Sequence, residues 1–159
     1  MPTAAGRDAT QSPTIWSVGH SNRSLEAFLE VLRSAHIGCV VDVRRHPVSR
    51  FPQFGRAQLA CALQEAGIAY HWLGEALGGY RAGGYQRHMR GEQFAAGLRE
   101  LERLAGEVPT AFMCAEKLPW RCHRMHIADA LTRRGLRVVH LIEADRIWEP
   151  TGRQGALEL

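Results

Sequence analysis

Cys39-Val40-Val41-Asp42-Val43 decides the fold. The run shows no alternation between a wet and a dry side, and such a β-branched segment suits a strand of a parallel sheet covered on both faces. Its flanks agree. Upstream, Leu25, Phe28, Leu29 and Leu32 recur at i, i+3, i+4 and i+7 behind Ser24, a plausible N-cap, so an amphipathic helix precedes the strand and closes at His36 to Gly38. Downstream, Leu59, Leu63 and Ala66 give Arg56 to Ala66 helical spacing, and Gly67 suits the residue after a helix end.

Working outward, Thr14 to Val18, Ile68 to Leu73, Thr110 to Cys114 and Arg137 to Ile142 read as four more strands. Helices are expected over Glu92 to Ala105, with Phe94, Leu98, Leu101 and Ala105 inward, and from Pro119 or Trp120 to Gly135. Five strands alternating with four helices imply an α/β protein: one three-layer domain over residues 14–143, with a mostly parallel five-stranded sheet and helices on both faces. Residues 1–13 have no periodicity and are expected to be a flexible tail. Residues 144–159 read as a weakly patterned C-terminal extension in which Ile147 and Trp148 are expected to pack back.

Composition narrows the class. The chain has 159 residues, 45% hydrophobic and 23% charged, which is ordinary for a soluble globular domain. No apolar run approaches the roughly 18 to 20 residues of a membrane helix, and Met1 to Pro13 lacks a signal-peptide core, so a cytoplasmic protein without a membrane partner is expected. The four cysteines, Cys39, Cys61, Cys114 and Cys122, are too sparse for a disulfide scaffold. Net charge is +4, and the cations are 19 arginines and one lysine. Arginine suits phosphate and carboxylate, so local arginine clusters point to an anionic small molecule or a nucleic acid.

The alternation of elements makes one prediction about function. His20-Ser21, Asp42 with Arg44-Arg45-His46, Tyr70-His71 and Cys114 with Glu116 all fall at the carboxyl ends of expected strands, the edge where open α/β sheets bind ligands. The richest of these stretches is Met113 to Arg124, with two cysteines, a carboxylate, a histidine and three cations. Cys114 there is a nucleophile, a metal ligand or a core residue. A helix terminus stabilises a thiolate by only about 0.3 to 1 kcal/mol, so a nucleophilic Cys114 needs cations such as Arg44, Arg121 or Arg124 beside it. His20 or Glu116 would transfer protons. Asp42, ending a buried strand, would orient Arg44 rather than react.

Other groups are weighed the same way. Arg44, Arg45, Arg50 and Ser49 form the sharpest cationic cluster. With Tyr80, Arg81, Tyr85, Arg87 and Arg90 of the glycine-rich stretch Gly74 to Gly91, they could hold phosphate and stack bases. Arg121, His123 and Arg124 are expected at the rim of the crevice. Cys122, His126, Asp129 and Arg133 share a helical stripe expected to face water, which removes Cys122 from the site. Seven residues separate Cys114 from Cys122, unlike the tight pairs of structural zinc sites, so no metal set is assigned. The residues name neither a cofactor nor an oligomeric state.

Gly19-His20-Ser21, Asp42-Val43-Arg44 with Pro47 and Ser49-Arg50, Tyr70 with Leu77-Gly78-Gly79, Cys114-Ala115-Glu116 and Cys122-His123-Arg124 together resemble the uncharacterised family called domain of unknown function 488, over about Thr14 to Leu141. The resemblance implies an α/β fold and a shared site at these positions, and it names no reaction. A weaker similarity to rhodanese, in Asp42 to Arg44 and in Cys114 before an arginine-containing loop, implies a sulfur-carrying cysteine. The expected function is a cysteine-centred strand-edge enzyme, a transferase or hydrolase, acting on an anionic, nucleotide-like or nucleic-acid-like substrate. The alternatives are a nucleic-acid-binding module with structural cysteines and a metal-dependent enzyme with Cys and His ligands.

Overall fold

A computed structural model describes residues 12–150. The expected flexible tail lies outside the described residues except for its last two positions, as does the end of the C-terminal extension from residue 151. Six strands, β1 (Thr14–Gly19), β2 (Cys39–Asp42), β3 (Ala69–Trp72), β4 (Thr110–Cys114), β5 (Arg137–Glu143) and β6 (Arg146–Trp148), form one sheet in the order β3-β2-β4-β1-β5-β6. The first five are mutually parallel, and β6 folds back antiparallel on β5. The expected count of five strands is therefore corrected to six. Only three residues long and lying on the sheet edge, β6 is too short to show a period of two.

The helices are α1 (Leu25–Ser34), α2 (Arg56–Glu65), the single turns α3 (Gly74–Leu77) and α4 (Tyr85–His88), α5 (Glu92–Glu107) and α6 (Arg124–Arg133). Ser24 caps α1 by accepting the amide of Ala27 at 3.1 Å, as its position predicted. Gly74 to Gly91, expected to be a long loop, is held instead by its own hydrogen bonds. Tyr85 donates its hydroxyl to Leu77 O at 2.6 Å, and Arg81 Nε donates to Gly78 O at 2.8 Å.

The alternation of side chains along each strand feeds two cores. Cys39, Val41, Phe112 and Cys114 pack with α5 and α6, while Val40, Ala111 and Met113 pack with α1 and α2 on the opposite face. This explains why the second strand reads as continuously apolar: both of its faces are buried, and every residue of β2 is inaccessible. The same arrangement positions the site. β4 lies between β2 and β1, whose chains leave toward the α1 and α2 face, whereas β4 itself leads to α6 on the other face. Chains diverging this way open a crevice above the carboxyl end of β4, at Cys114.

Candidate active site

The ladder between β1 and β4 continues past both strands and forms the floor of that crevice. His20 N donates to Cys114 O and Ser21 N to Ala115 O, each at 2.9 Å. The approach requires Gly19, where a Cβ would stand 1.8 Å from Glu116 O. Gly78 serves the opposite wall in the same way, with a Cβ position 2.4 Å from Arg45 Cβ. The resulting cavity of about 840 Å³ is within the usual range for small-ligand sites.

Nine of the twelve residues expected at the site border the cavity: His20, Ser21, Arg44, Ser49 and Arg50 on one side, Cys114, Glu116, Arg121 and His123 on the other. Asp42, Tyr70 and Arg124 do not, and they belong to two polar networks buried beneath it on opposite faces of the sheet.

The first network lies on the α1 and α2 face. Asp42 Oδ1 accepts Arg44 Nε at 2.9 Å and the Arg44 amide at 3.1 Å, while Oδ2 accepts Arg44 Nη2 at 2.8 Å and the Tyr70 hydroxyl at 2.6 Å. Burial and the Asp42 carboxylate push the Tyr70 hydroxyl well above its ordinary pKa. Arg44 Nη1 donates to Phe54 O at 2.8 Å and faces His20 Nε2 at 3.3 Å. Arg44, expected to hold substrate charge, is thus neutralised by Asp42, and Tyr70 serves that pair instead of the ligand. His20 stacks on Phe54 and donates from Nδ1 to Ser21 O at 2.8 Å. Burial lowers its pKa to about 4, so it is neutral at pH 7, with its remaining lone pair turned toward Arg44.

The second network lies under α6. The helix expected from Pro119 onward is interrupted: Pro119–Arg121 forms a 3-10 turn, Cys122 is extended (φ −149°), and α6 begins at Arg124. The break takes Cys122 out of the helical stripe that was to face water and brings its Sγ to 2.8 Å from Cys114 Sγ. His126, on the same stripe, is half-buried against the Tyr85 ring, and only Asp129 and Arg133 are exposed as expected. Arg124 is fully buried at 0% exposure instead of lying on the rim. Its Nε donates to Cys114 Sγ at 3.0 Å, Nη1 to Ser17 Oγ at 2.9 Å, and Nη2 to the carbonyls of Glu116 and Lys117 at 2.5 and 3.2 Å. Its backbone amide reaches Cys122 Sγ at 3.3 Å.

Arg124 makes no ion pair with a carboxylate among the described residues. An arginine keeps its charge even when buried, so the two thiols are its available counter-charge. They divide the roles. The hydrogen bond from Cys114, with His123 and Arg124 nearby, lowers the Cys122 pKa to about 4. Burial, and then the bond to Cys122, push the Cys114 thiol up. His123 completes the arrangement, with Nε2 donating to Val43 O at 3.2 Å and Nδ1 facing Cys122 Sγ at 3.6 Å.

The rim is cationic. Arg45, Arg50 and Arg121 border the cavity without a carboxylate partner among the described residues, while Lys117 is paired with Glu143. Glu116 is the cavity's lone carboxylate, and its side chain bonds the Leu118 amide at 3.4 Å, not an arginine. Of the glycine-rich stretch only Gly79 and Tyr80 border the cavity. Arg81, Tyr85, Arg87 and Arg90 do not, so the expected base-stacking wall reduces to one ring.

Sequence reasoning missed Ser17 and His140 and placed Cys122 outside the site. A histidine inside the buried run Arg137 to Ile142 was a legible signal. The position of Cys122 depended on where the helix starts, which spacing alone does not fix. Among the described residues no three His, Cys, Asp or Glu side chains are grouped to hold a metal ion, and no helix is long and apolar enough to cross a membrane.

A family model described as Domain of unknown function DUF488 matches residues 24–131. Comparison with curated proteins and with solved structures gave no match, so nothing supports the likeness to rhodanese.

Proposed function

Because the chain belongs to the family described as Domain of unknown function DUF488, a description that names no reaction, its activity is read from the site, and we propose a cytoplasmic thiol-dependent enzyme acting on an anionic substrate. The observation that carries this reading is the fully buried Arg124 beside two touching thiols and no carboxylate. Such a site holds one thiolate at neutral pH. Cys122, the less buried of the two, is the nucleophile, and Cys114 donates a hydrogen bond to it. This moves the attacking role from Cys114, where the sequence placed it, to Cys122.

His123 Nδ1 is positioned to take the proton that Cys122 loses and to return it to a leaving group. Cys114 Sγ donates to the Glu116 backbone carbonyl at 3.7 Å, but the His20 ring and the Glu116 carboxylate bond neither sulfur among the described residues, so those two side chains shape the wall. Arg45, Arg50 and Arg121 attract and hold substrate charge. The four free cysteines suit a reducing compartment.

Alkylation tests the proposal. Iodoacetamide should label Cys122 first, with a pH profile centred well below the ordinary thiol value of about 8.5. Anionic iodoacetate should gain more over its rate with a free thiol than iodoacetamide does. A Cys122 profile centred near 8.5 would remove the nucleophile.

A second reading rests on Tyr80, whose ring is 91% exposed at the cavity mouth beside Arg45. An exposed aromatic among cations suits stacking by a nucleobase. Binding of labelled single-stranded oligonucleotides at low salt, weakened by Tyr80→Ala, is its test.

A further inference from the structure

The two sulfurs pose a question that a single nucleophile leaves unanswered. A hydrogen-bond donor to Cys122 need not be a second thiol. Yet the partner is Cys114, which also borders the cavity and receives its own hydrogen bond from Arg124. We propose that Cys114 is the second reacting group, and that the site reduces the disulfide of a small anionic thiol, passing through a mixed disulfide on Cys122 and ending as a Cys114–Cys122 disulfide. This rests on the thiolate reading above and adds the reaction and the substrate class.

The chemistry balances as follows. The Cys122 thiolate attacks one sulfur of the substrate. A bond forms between Cys122 Sγ and that sulfur, the substrate disulfide breaks, and the first half leaves as a thiolate that takes the proton given up by Cys114. Cys114 Sγ then attacks Cys122 Sγ, the Cys114–Cys122 bond forms, and the second half leaves as a thiolate. The substrate gains two electrons and the pair loses two. A dithiol reductant from solution reopens the pair by the same exchange in reverse.

Geometry supports both steps. The sulfurs stand 2.8 Å apart, so a bond of about 2.05 Å needs an approach of under about 1 Å. Arg124 supports the change of roles. While Cys122 is charged, Cys114 keeps its proton, because two adjacent thiolates repel. Once Cys122 is in a mixed disulfide its charge is gone, and Arg124 Nε, 3.0 Å from Cys114 Sγ, has Cys114 as its remaining counter-charge. The amide of Arg124 continues to hold Cys122 at 3.3 Å. One residue therefore braces attacker and target. The substrate's charge follows from the rim, where Arg45, Arg50 and Arg121 face a single carboxylate, Glu116.

The probes are oxidised glutathione, which is anionic, and cystamine, which is cationic. They are applied to the reduced protein in a Cys61→Ser background, because Cys61 is exposed and lies outside the site. The parent should lose two hydrogens and yield a peptide linking Cys114 to Cys122, without lasting adduct. Cys114→Ser should stop at glutathione on Cys122, and Cys122→Ser should do neither. Relative to a free thiol, oxidised glutathione should outpace cystamine by at least roughly tenfold. A second measurement needs no cysteine variant at the site: in glutathione redox buffers, the two thiols should disappear together at one midpoint. A lasting adduct on Cys122 in the parent overturns this inference and leaves the nucleophile standing. Failure of Cys122 to react with either disulfide, with an ordinary alkylation profile, removes both. Equal rates for the two probes overturn the anionic substrate.

Discussion

Arg124 Nε donates to Cys114 Sγ at 3.0 Å from a side chain with no exposed surface, and no carboxylate among the described residues pairs with it. The relation separates two properties of arginine: a charge that favours a thiolate, and a fork that holds Ser17 Oγ and the carbonyls of Glu116 and Lys117.

Arg124→Met removes the charge and keeps the stem. The alkylation profile of Cys122 should move upward, with the Cys114 hydrogen bond and His123 still holding it below the ordinary thiol value of about 8.5. Arg124→Lys keeps the charge and loses the fork. Its profile should stay low while urea unfolding reports a loss of about 1 to 3 kcal/mol from carbonyls left without donors. An unchanged profile in the Met variant would show that Arg124 does not set the ionisation.

Arg44 Nη2 and the Tyr70 hydroxyl share Asp42 Oδ2, and loss of Asp42 or of Tyr70 leaves different groups behind. Asp42→Asn leaves the Arg44 guanidinium buried with no balancing charge and should cost about 3 to 5 kcal/mol in urea unfolding. Tyr70→Phe deletes one hydrogen bond while Arg44 still holds the same oxygen, and should cost about 1 to 2 kcal/mol. Equal losses would contradict the network.

Acid should destabilise the fold through its buried histidines. The Ser17 hydroxyl donates to His140 Nδ1, and the buried His140 Nε2 has no partner among the described residues. Burial, then Arg124, lower the His140 pKa to about 3, and burial lowers that of His20 to about 4, from 6.5 in the unfolded chain. Below pH 6.5 the unfolded chain binds protons that the native state refuses, so stability is full above 6.5 and falls as pH drops toward those values. By pH 4.5 each histidine should cost on the order of 3 kcal/mol. His140→Phe should flatten the slope between pH 6.5 and 4.5 in denaturation series. An unaltered slope would show that His140 does not titrate on unfolding.

Two glycines give opposite expectations. Gly19→Ala drives a Cβ into Glu116 O, so the ends of β1 and β4 must separate, at a cost above about 2 kcal/mol and with loss of the crevice floor. Gly106→Ala, in the last turn of α5 with nothing near its added carbon, should raise stability by about 0.5 to 1 kcal/mol. Thermal unfolding of the two variants should shift in opposite directions.

The layers were readable because burial writes itself into spacing. The valines of β2 and the apolar residues spaced three and four apart in α1 and α5 specify covered faces without knowledge of any partner. The polar clusters at strand ends pointed to the edge where the cavity lies, and the family resemblance is shown over residues 24–131. The site's internal division was not readable, since it depends on parity and on one helix boundary. Asp42 and Cys114 end neighbouring strands on opposite faces, which separates Arg44 from Arg124 although both are arginines following strand ends. Cys122 was assigned to water by starting a helix four or five residues too early, over a residue that is extended. The strand β6 and the internal folding of residues 74–91 were hidden for another reason, because elements of three or four residues carry too little pattern.

The floor of the crevice is a continuation of the β1 and β4 ladder, through the His20 and Ser21 amides. Cys114 is therefore mounted on the central ladder, where the His20 and Ser21 amides should exchange as slowly as those of the central strands, while Cys122 sits on the extended link into α6. The facing wall has a different mechanical character. Arg45 Nη1 ties the segment after β2 to Tyr80 O at 2.7 Å, coupling it to the tip of the glycine-rich stretch. A displacement of that one coupled wall would widen the crevice without disturbing the ladder that carries Cys114.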